Sequence, residues 1–505
     1  MTLAPHQMRD VSSDRLPAHL IAIPLAAVLL TAVSISTGER LPIVGAIGAV
    51  LAVAMVRSPR VAVIGIAFLW GGAVAIPVQT VRVGPLHVTL GDLCLAAGIV
   101  GWGLQRRSQT VASPIRSAPL FALPIVVFFA AVAWGTLVAI RAGDSLGESF
   151  HTVINCAPLL AYFLIREVYT GRSSALVRDL VLVTAASCSV VLAAMAVGYE
   201  PLIGRSMNLV LTRGVDFDTV RIDPPVLRIM CVTVLLATFA KFPREGRLAH
   251  VRWALVAIML IVEAFSLTRT TWTPMLAAWL ILPVLTWGWA GVSSAVRRGA
   301  VMAVALVALL GIASAGTFGP TAQAMAVRAM SVTDSGLTKD PSLQDRLLEN
   351  EAAWAQIKEH PIAGIGFPRA YGAFQYTYDA ETDFTENLPK HFIHQTYLGI
   401  WLWFGVPGIV ALLALIIAMV RTIAVVRSMK YRDMTVPMTI IAGLGALAFG
   451  SAFQTNLIYR PAYFAVAAGL ACLDVWIGDR NMPRDEIVRE TDRARPKASG
   501  VVSVG

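Results

Sequence analysis

Apolar residues run through this chain in long blocks separated by short polar connections. A block of roughly 17–25 predominantly apolar residues is long enough to cross a bilayer as a helix. About fourteen such blocks are predicted from the pattern. They lie near 19–37, 41–56, 61–79, 87–104, 119–140, 150–165, 176–198, 224–240, 251–267, 271–290, 300–318, 394–420, 435–454 and 461–477. Pro and Gly interrupt several of them, so the expectation is about 12–14 spans. Backbone inside lipid must satisfy its own hydrogen bonds, which makes these spans helices. The fold class is therefore an all-α polytopic membrane protein.

The polar connections alternate in charge. One set carries Arg57/Arg60, Arg106/Arg107/Arg116, Arg166/Arg172/Arg178, Lys241/Arg244/Arg247/Arg252, Arg297/Arg298 and Arg421/Arg427/Lys430/Arg432. The other set has mostly one cation per connection, and its long members carry matching acids. The positive-inside rule places the first set, with both termini, in the cytoplasm. This divides the chain into a cytoplasmic segment 1–18, a membrane domain 19–477 and a polar, disordered cytoplasmic tail 478–505. It leaves a long external loop at 319–393 and a shorter one at 199–223. No cleavable signal is expected at the N-terminus, because no A-x-A site follows the first apolar run.

The long loop has its own pattern. Ser342 followed by Asp345 is a capping-box-like start, and Pro361 ends the helix it opens. On a helical wheel Leu343, Leu347, Trp354 and Ile357 share one face. Asp345, Glu349 and Glu359 lie largely opposite, and Arg346 and Asn350 sit at the edge of the apolar stripe or within it. Such a helix lies along the membrane surface and turns Arg346 toward the bundle. The segment "AGIGF", 363–367, follows as a glycine-permitted turn.

Composition agrees with the pattern. Hydrophobic residues make up 56% and charged residues 14% of the 505, against about 45–50% and about 25% in soluble domains. The net charge of +10 is distributed by loop, so it speaks for membrane orientation and against a nucleic-acid partner. Cys94, Cys156, Cys188, Cys231 and Cys472 all fall in apolar segments and read as inert buried thiols. No CxxC or Cys/His spacing suggests a metal, and no cofactor motif is present.

Three cations fall on the external side: Arg269, where a long apolar stretch doubles back, Arg346 in the loop helix, and His394 at the mouth of a span. Each has a plainer local reading. Arg269 can snorkel to the interface, Arg346 can grip a lipid phosphate, and His394 can be satisfied by a backbone carbonyl. Together they suit a substrate with phosphates and a reacting hydroxyl, since arginine binds phosphate bidentately and histidine can take a proton. The acidic run "DAETDFTE", 379–386, reads as a solvated loop. Arg205, Arg213 and Arg221 form a basic patch in the second external loop, suited to an anionic glycan or simply to solvent. Glu263 lies within a span and is a functional hint or the partner of a bundle arginine. Asp92 starts or caps its helix.

The segment from about Val251 to Ile416 resembles the O-antigen ligase/O-antigen polymerase superfamily. The residues that carry the resemblance are Thr268-Arg269, "DRLLENEAAW" with Arg346, "PIAGIGF" at 361–367, and "HQTYL" at 394–398 followed by "FGVPGIV". The element "VTLGDLCL", 88–95, is similar too. Thr268 stands where the family has Ser, Gln395 where it has Asn, and Pro368 where Gly is frequent. The resemblance implies a GT-C-like glycosyltransferase bundle in a bacterial inner membrane, with the active site outside. It implies transfer of a glycan from an undecaprenyl-diphosphate-type carrier to a sugar hydroxyl on a glycan or lipid-anchored acceptor, without a metal. It makes His394 the general base and Arg269 and Arg346 the groups that stabilise the diphosphate. Arg213, Arg221, Asn350, Gln395 and His391 are the further candidates for substrate contact, with His391 placed to orient His394.

Two rival readings differ in what they require. A lipid-linked oligosaccharide flippase would show two related halves and ionisable groups near the midplane, and no half-to-half similarity is visible here. A ligase, a polymerase and a protein O-oligosaccharyltransferase share the motifs and differ in acceptor.

Overall fold

The computed structural model describes residues 52–72, 80–83, 86–108, 119–145, 147, 149, 153–196, 207–211, 215–221, 225–239, 248–266, 269–287, 293, 341–379, 384–429, 431–453 and 459–481. The spans expected near 19–37 and 300–318, most of that near 41–56, the 1–18 segment, Arg205, Arg213 and the tail beyond 481 lie outside the described residues.

The remaining expected spans each meet a helix. In chain order these are α1 (Pro59–Leu69), α2 (Leu90–Ser108), α3 (Ala122–Arg141), α4 (Ala161–Tyr169, entered through a 3₁₀ helix Ile154–Leu160), α5 (Ser173–Ala196) and α6 (Val226–Phe239). They continue as α7 (Leu248–Phe265), α8 (Arg269–Trp287), α10 (Thr396–Ser428), α11 (Tyr431–Gly450) and α12 (Arg460–Asn481), with α9 (Pro341–Glu359) the helix expected in the long loop. The segments Ala122–Arg141, Ser173–Met195, Thr396–Ser428 and Arg460–Arg480 are long and apolar enough to cross a membrane. Three antiparallel hairpins, Thr80–Val83 with Leu86–Thr89, Met207–Leu211 with Val215–Arg221 and Phe374–Asp379 with Phe384–Pro389, form where the hydropathy pattern predicts no strand, the first of them taking the start of the span expected at 87–104. The architecture is nonetheless an all-α polytopic bundle.

Buried ion pairs gather the helix ends into two groups. At one end Arg60 of α1 reaches Asp179 of α5 at 2.7 Å, and the Tyr169 hydroxyl donates to the same carboxylate at 2.7 Å. Asp474 of α12 accepts from Arg166 at 2.9 Å, from the Tyr162 hydroxyl at 2.5 Å and from the Leu120 amide at 3.3 Å. Asp479 accepts from the Gly171 and Ser173 amides at 2.7 and 2.8 Å, so a carboxylate from α12 caps the positive start of α5. These contacts draw cation-rich connections of the first set to one end of the bundle.

At the opposite end Thr89 and Asp92 form a capping box for α2: the Thr89 amide and hydroxyl donate to Asp92, and the Asp92 amide donates to the Thr89 hydroxyl. This confirms the capping role read for Asp92. Arg460 at the start of α12 adds a 2.7 Å bond to Asp92 and a 2.9 Å bond to Asn155. All three sit far apart in the chain, and only the bundle brings them together.

The span expected as a plain helix at 394–420 is broken. Gly405 has φ 61° and ψ −144° within α10, with Pro407 two residues on. The break interrupts the intrahelical ladder around Leu402–Val406. Lipid cannot satisfy backbone groups released in this way, and the "AGIGF" turn does so instead. The Ile365 amide donates to Leu402 O at 2.8 Å, the Gly366 amide to Trp403 O at 3.2 Å, and the Val406 amide to Ile362 O at 2.9 Å. The Phe367 amide reaches across to Gly135 O of α3 at 3.0 Å. The indoles of Trp134, Trp401 and Trp403 donate to the Ala363, Pro361 and Arg369 carbonyls, each at 3.0 Å. Phe367 is fully buried between Trp403 and Phe404. The segment is thus a re-entrant plug between α3 and α10, not a surface turn.

Gly405 is required on two counts. Its φ is positive, and a Cβ there would lie 2.1 Å from Ile362 O. Gly405→Ala should therefore destabilise the protein by at least the ~1–3 kcal/mol of left-handed strain, lowering the unfolding temperature of the detergent-solubilised protein by several degrees. Gly103→Ala is the control: that helical position has nothing within 4 Å of an added Cβ, so alanine should be neutral or stabilise by ~0.5–1 kcal/mol.

Candidate active site

The plug fixes where the chain leaves and re-enters the bundle, and thereby sets α9 against the mouth of α10. The wheel placed Glu349 on the solvent side of α9, away from the apolar face. The structure reverses this. Glu349 is 1% exposed, and Ala353 and Ile357, one and two turns further, are buried with it. Leu347, Leu348 and Trp354 stay exposed, Leu347 at 60%. In a membrane protein exposed apolar side chains can meet lipid, so a surface helix need not bury its most apolar face. Trp354 also packs edge-on against Trp401 of α10, with centroids 5.5 Å apart.

The Glu349 carboxylate is the hub. Both its oxygens lie 2.9 Å from His394 Nδ1, and Oε2 also accepts the His394 backbone amide at 3.1 Å. Lys390 Nζ stands 2.5 Å from Oε1 and donates to Asp345 Oδ2 at 3.1 Å. Lys390 is itself buried, its ammonium 5.5 Å from the Phe392 ring centroid. Burial pushes the Glu349 pKa up, but the bonds from His394 and Lys390 outweigh it and bring it down to about 2. The depressed value means that this carboxylate contributes stability in full above its ordinary 4.5, and loses it as pH falls toward 2.

His394 is held but not enclosed. Its side chain is 30% exposed, and no described residue hydrogen-bonds Nε2. Phe392 flanks it edge-on at 5.6 Å. The backbone around it is fixed by the Lys390 amide on Ala373 O at 2.8 Å, by the Thr396 amide on Ser451 O at 3.0 Å, and by the Tyr371 hydroxyl on Phe392 O at 2.9 Å. Gln395 occupies the N-cap position of α10, half-buried, with no side-chain cap bond.

The other predicted residues assemble in part. Arg346 is half-buried and lies three residues before Glu349, so it is its neighbour on the same side of α9. Asn350 is half-buried four residues after Arg346, on the same stripe. Arg269 opens α8, which packs against α11. The end of α11 meets the start of α10, where the Thr396 amide donates to Ser451 O. Arg221 closes a β-strand just before α6 begins. His391 is exposed, and its Nδ1 lies 3.0 Å from Pro368 O. The ring that contacts His394 is thus Phe392, and the group that holds it is Glu349.

Sequence reasoning missed Glu349 and Lys390. A signal for Glu349 existed in the i, i+4, i+8 alignment of Glu349, Ala353 and Ile357. Nothing local marked Lys390, whose partners lie across a loop and a hairpin. Among the described residues no group of three His, Cys, Asp or Glu side chains is arranged to hold a metal.

A search of curated proteins finds no match to the chain. Residues 254–413 match the family model described as O-antigen ligase (Wzy_C). The match contains the start of α8, all of α9, the plug, Lys390 and His394. Over this region the chain is similar to the O-antigen ligase family, and the match supports a place in the O-antigen ligase/polymerase superfamily.

Proposed function

We propose that the protein transfers a glycan from an undecaprenyl-diphosphate-type lipid carrier to a sugar hydroxyl, as a ligase or a polymerase of surface polysaccharide. The observation that carries this reading is His394. It is a histidine with one nitrogen held, the other open, beside a helix stripe that presents Arg346. The reaction needs a base at the acceptor oxygen and positive charge at the leaving diphosphate. His394 takes the hydroxyl proton through Nε2. The acceptor oxygen bonds to the sugar's anomeric carbon as the carbon–oxygen bond to the diphosphate breaks. The departing diphosphate carries off the electron pair, and the guanidinium groups of Arg346 and Arg269 stabilise it. Asn350, Gln395, His391, Arg221 and Arg213 are the further candidates for contact with the glycan or headgroup. Exposed Leu347, Leu348 and Trp354 set α9 in the interface, where a lipid-linked donor presents its diphosphate.

The membrane is the bacterial inner membrane, with the cation-rich end in the cytoplasm and His394 on the outer face. Reporter fusions at Lys339 and Arg427 should show opposite sidedness, and equal sidedness would overturn this orientation.

His394→Ala should lower transfer about 10²–10⁴-fold while the protein still inserts and still binds the lipid-linked donor. Loss of donor binding with unchanged chemistry on bound donor would make His394 a binding group. Both measurements are made on purified protein in nanodiscs, using lipid-linked glycan extracted from the host.

Arg269→Lys and Arg346→Lys should each impair transfer, because an ammonium cannot reproduce the planar fork. A chelator should leave transfer by the unmodified protein intact, and strict dependence on a divalent cation would count against the arginine assignment.

A further inference from the structure

We infer that Glu349 is the positioning residue of His394, and that Lys390 fixes Glu349 in that role. The inference rests on His394 being the base, and assigns the partner that makes it one. An ionised carboxylate can only accept hydrogen bonds. With both Glu349 oxygens 2.9 Å from His394 Nδ1, that nitrogen must carry the hydrogen. The neutral ring then keeps its lone pair on Nε2, the nitrogen that no described residue engages. Once Nε2 has taken the acceptor proton, the imidazolium lies against the same carboxylate, which stabilises it where it forms. Aspartate performs this service for the histidine of hydrolase triads.

Lys390 explains how Glu349 can be both buried and ionised. A carboxylate 1% exposed would otherwise be driven to protonate, and a protonated acid could not hold the tautomer. The Lys390 ammonium at 2.5 Å supplies the counter-charge, and Asp345 on the previous turn of α9 keeps that ammonium in place from its other side. Glu349, Asp345 and Lys390 carry one net negative charge between them, matching the one positive charge that His394 gains. The His394 amide on Oε2 locks the carboxylate to the backbone of the residue it orients. A side chain that served only to attach α9 would not need both oxygens on one imidazole nitrogen.

The test uses the full-length protein in nanodiscs, with lipid-linked glycan extracted from the host as donor. Glu349→Gln keeps the shape and removes the charge. It should lower transfer about 10²–10⁴-fold, mainly in kcat, with donor KM little changed. Glu349→Asp, which retains a carboxylate, should recover part of the loss. The double variant E349Q/H394A should be no slower than H394A alone, because two groups that act as one unit do not add. If E349Q fails to insert, E349Q/K390M removes both buried charges and carries the same expectations. Nitrogen-15 spectra of histidine-labelled protein at alkaline pH give a readout free of substrate. The signal missing from H394A should report hydrogen on Nδ1 and none on Nε2. A slow H394A with E349Q within about threefold of wild type, fully additive effects, or hydrogen on Nε2 would overturn the assignment of Glu349. Wild-type transfer by H394A would instead overturn the base reading beneath it.

Discussion

A backbone or side-chain polar group that leaves water in a membrane bundle must find its partner within the protein, and the site depends on two instances of that constraint. The first is the break in α10 at Gly405. A helix that opens within the bundle releases groups that lipid cannot satisfy, and residues 362–367 come in to satisfy them. The second is Glu349, a carboxylate that stays ionised out of water because Lys390 and His394 surround it. The two are linked through the chain. The plug lies immediately after α9 and the broken helix immediately after His394, so anchoring one to the other sets the distance at which Glu349 and His394 meet.

The arrangement divides labour by end. Around Asp474, Asp479 and Asp179, buried ion pairs and a cross-helix cap bind α1, α4, α5 and α12 into a fixed frame. Every one of those carboxylates has several partners. At the other end Arg460, Asp92 and Asn155 close the bundle in a similar way. His394 is 30% exposed, and no described residue hydrogen-bonds its Nε2.

The exposed apolar side chains of α9 fit the same picture. In water, Leu347, Leu348 and Trp354 would have been buried and Glu349 left outside. Beside a bilayer the sign of the preference changes for the outward face. The buried stripe of α9 is Glu349, Ala353 and Ile357, with Arg346 and Asn350 half-buried beside it, while Glu351, Lys358 and Glu359 are exposed along with the apolar side chains.

Much of this was legible in the amino-acid sequence, because the bilayer imposes a length and a composition on every span. The positions of α3, α5, α10 and α12, the capping by Asp92 and the helix at 341–359 all follow from local pattern. The order of Arg269, Arg346, "PIAGIGF" and His394 is likewise a matter of sequence, since they lie within one stretch of the chain. Tertiary structure alone decided the rest. A wheel assigns faces by hydropathy and cannot know whether lipid or water lies outside, so it put Glu349 on the wrong side. A glycine and a proline at 405 and 407 permit a break without requiring one, and only the arrival of 362–367 makes it stable. Lys390 is an ordinary loop lysine until the fold carries Asp345 and Glu349 to it, because charge pairing between distant segments leaves no periodic trace in the sequence.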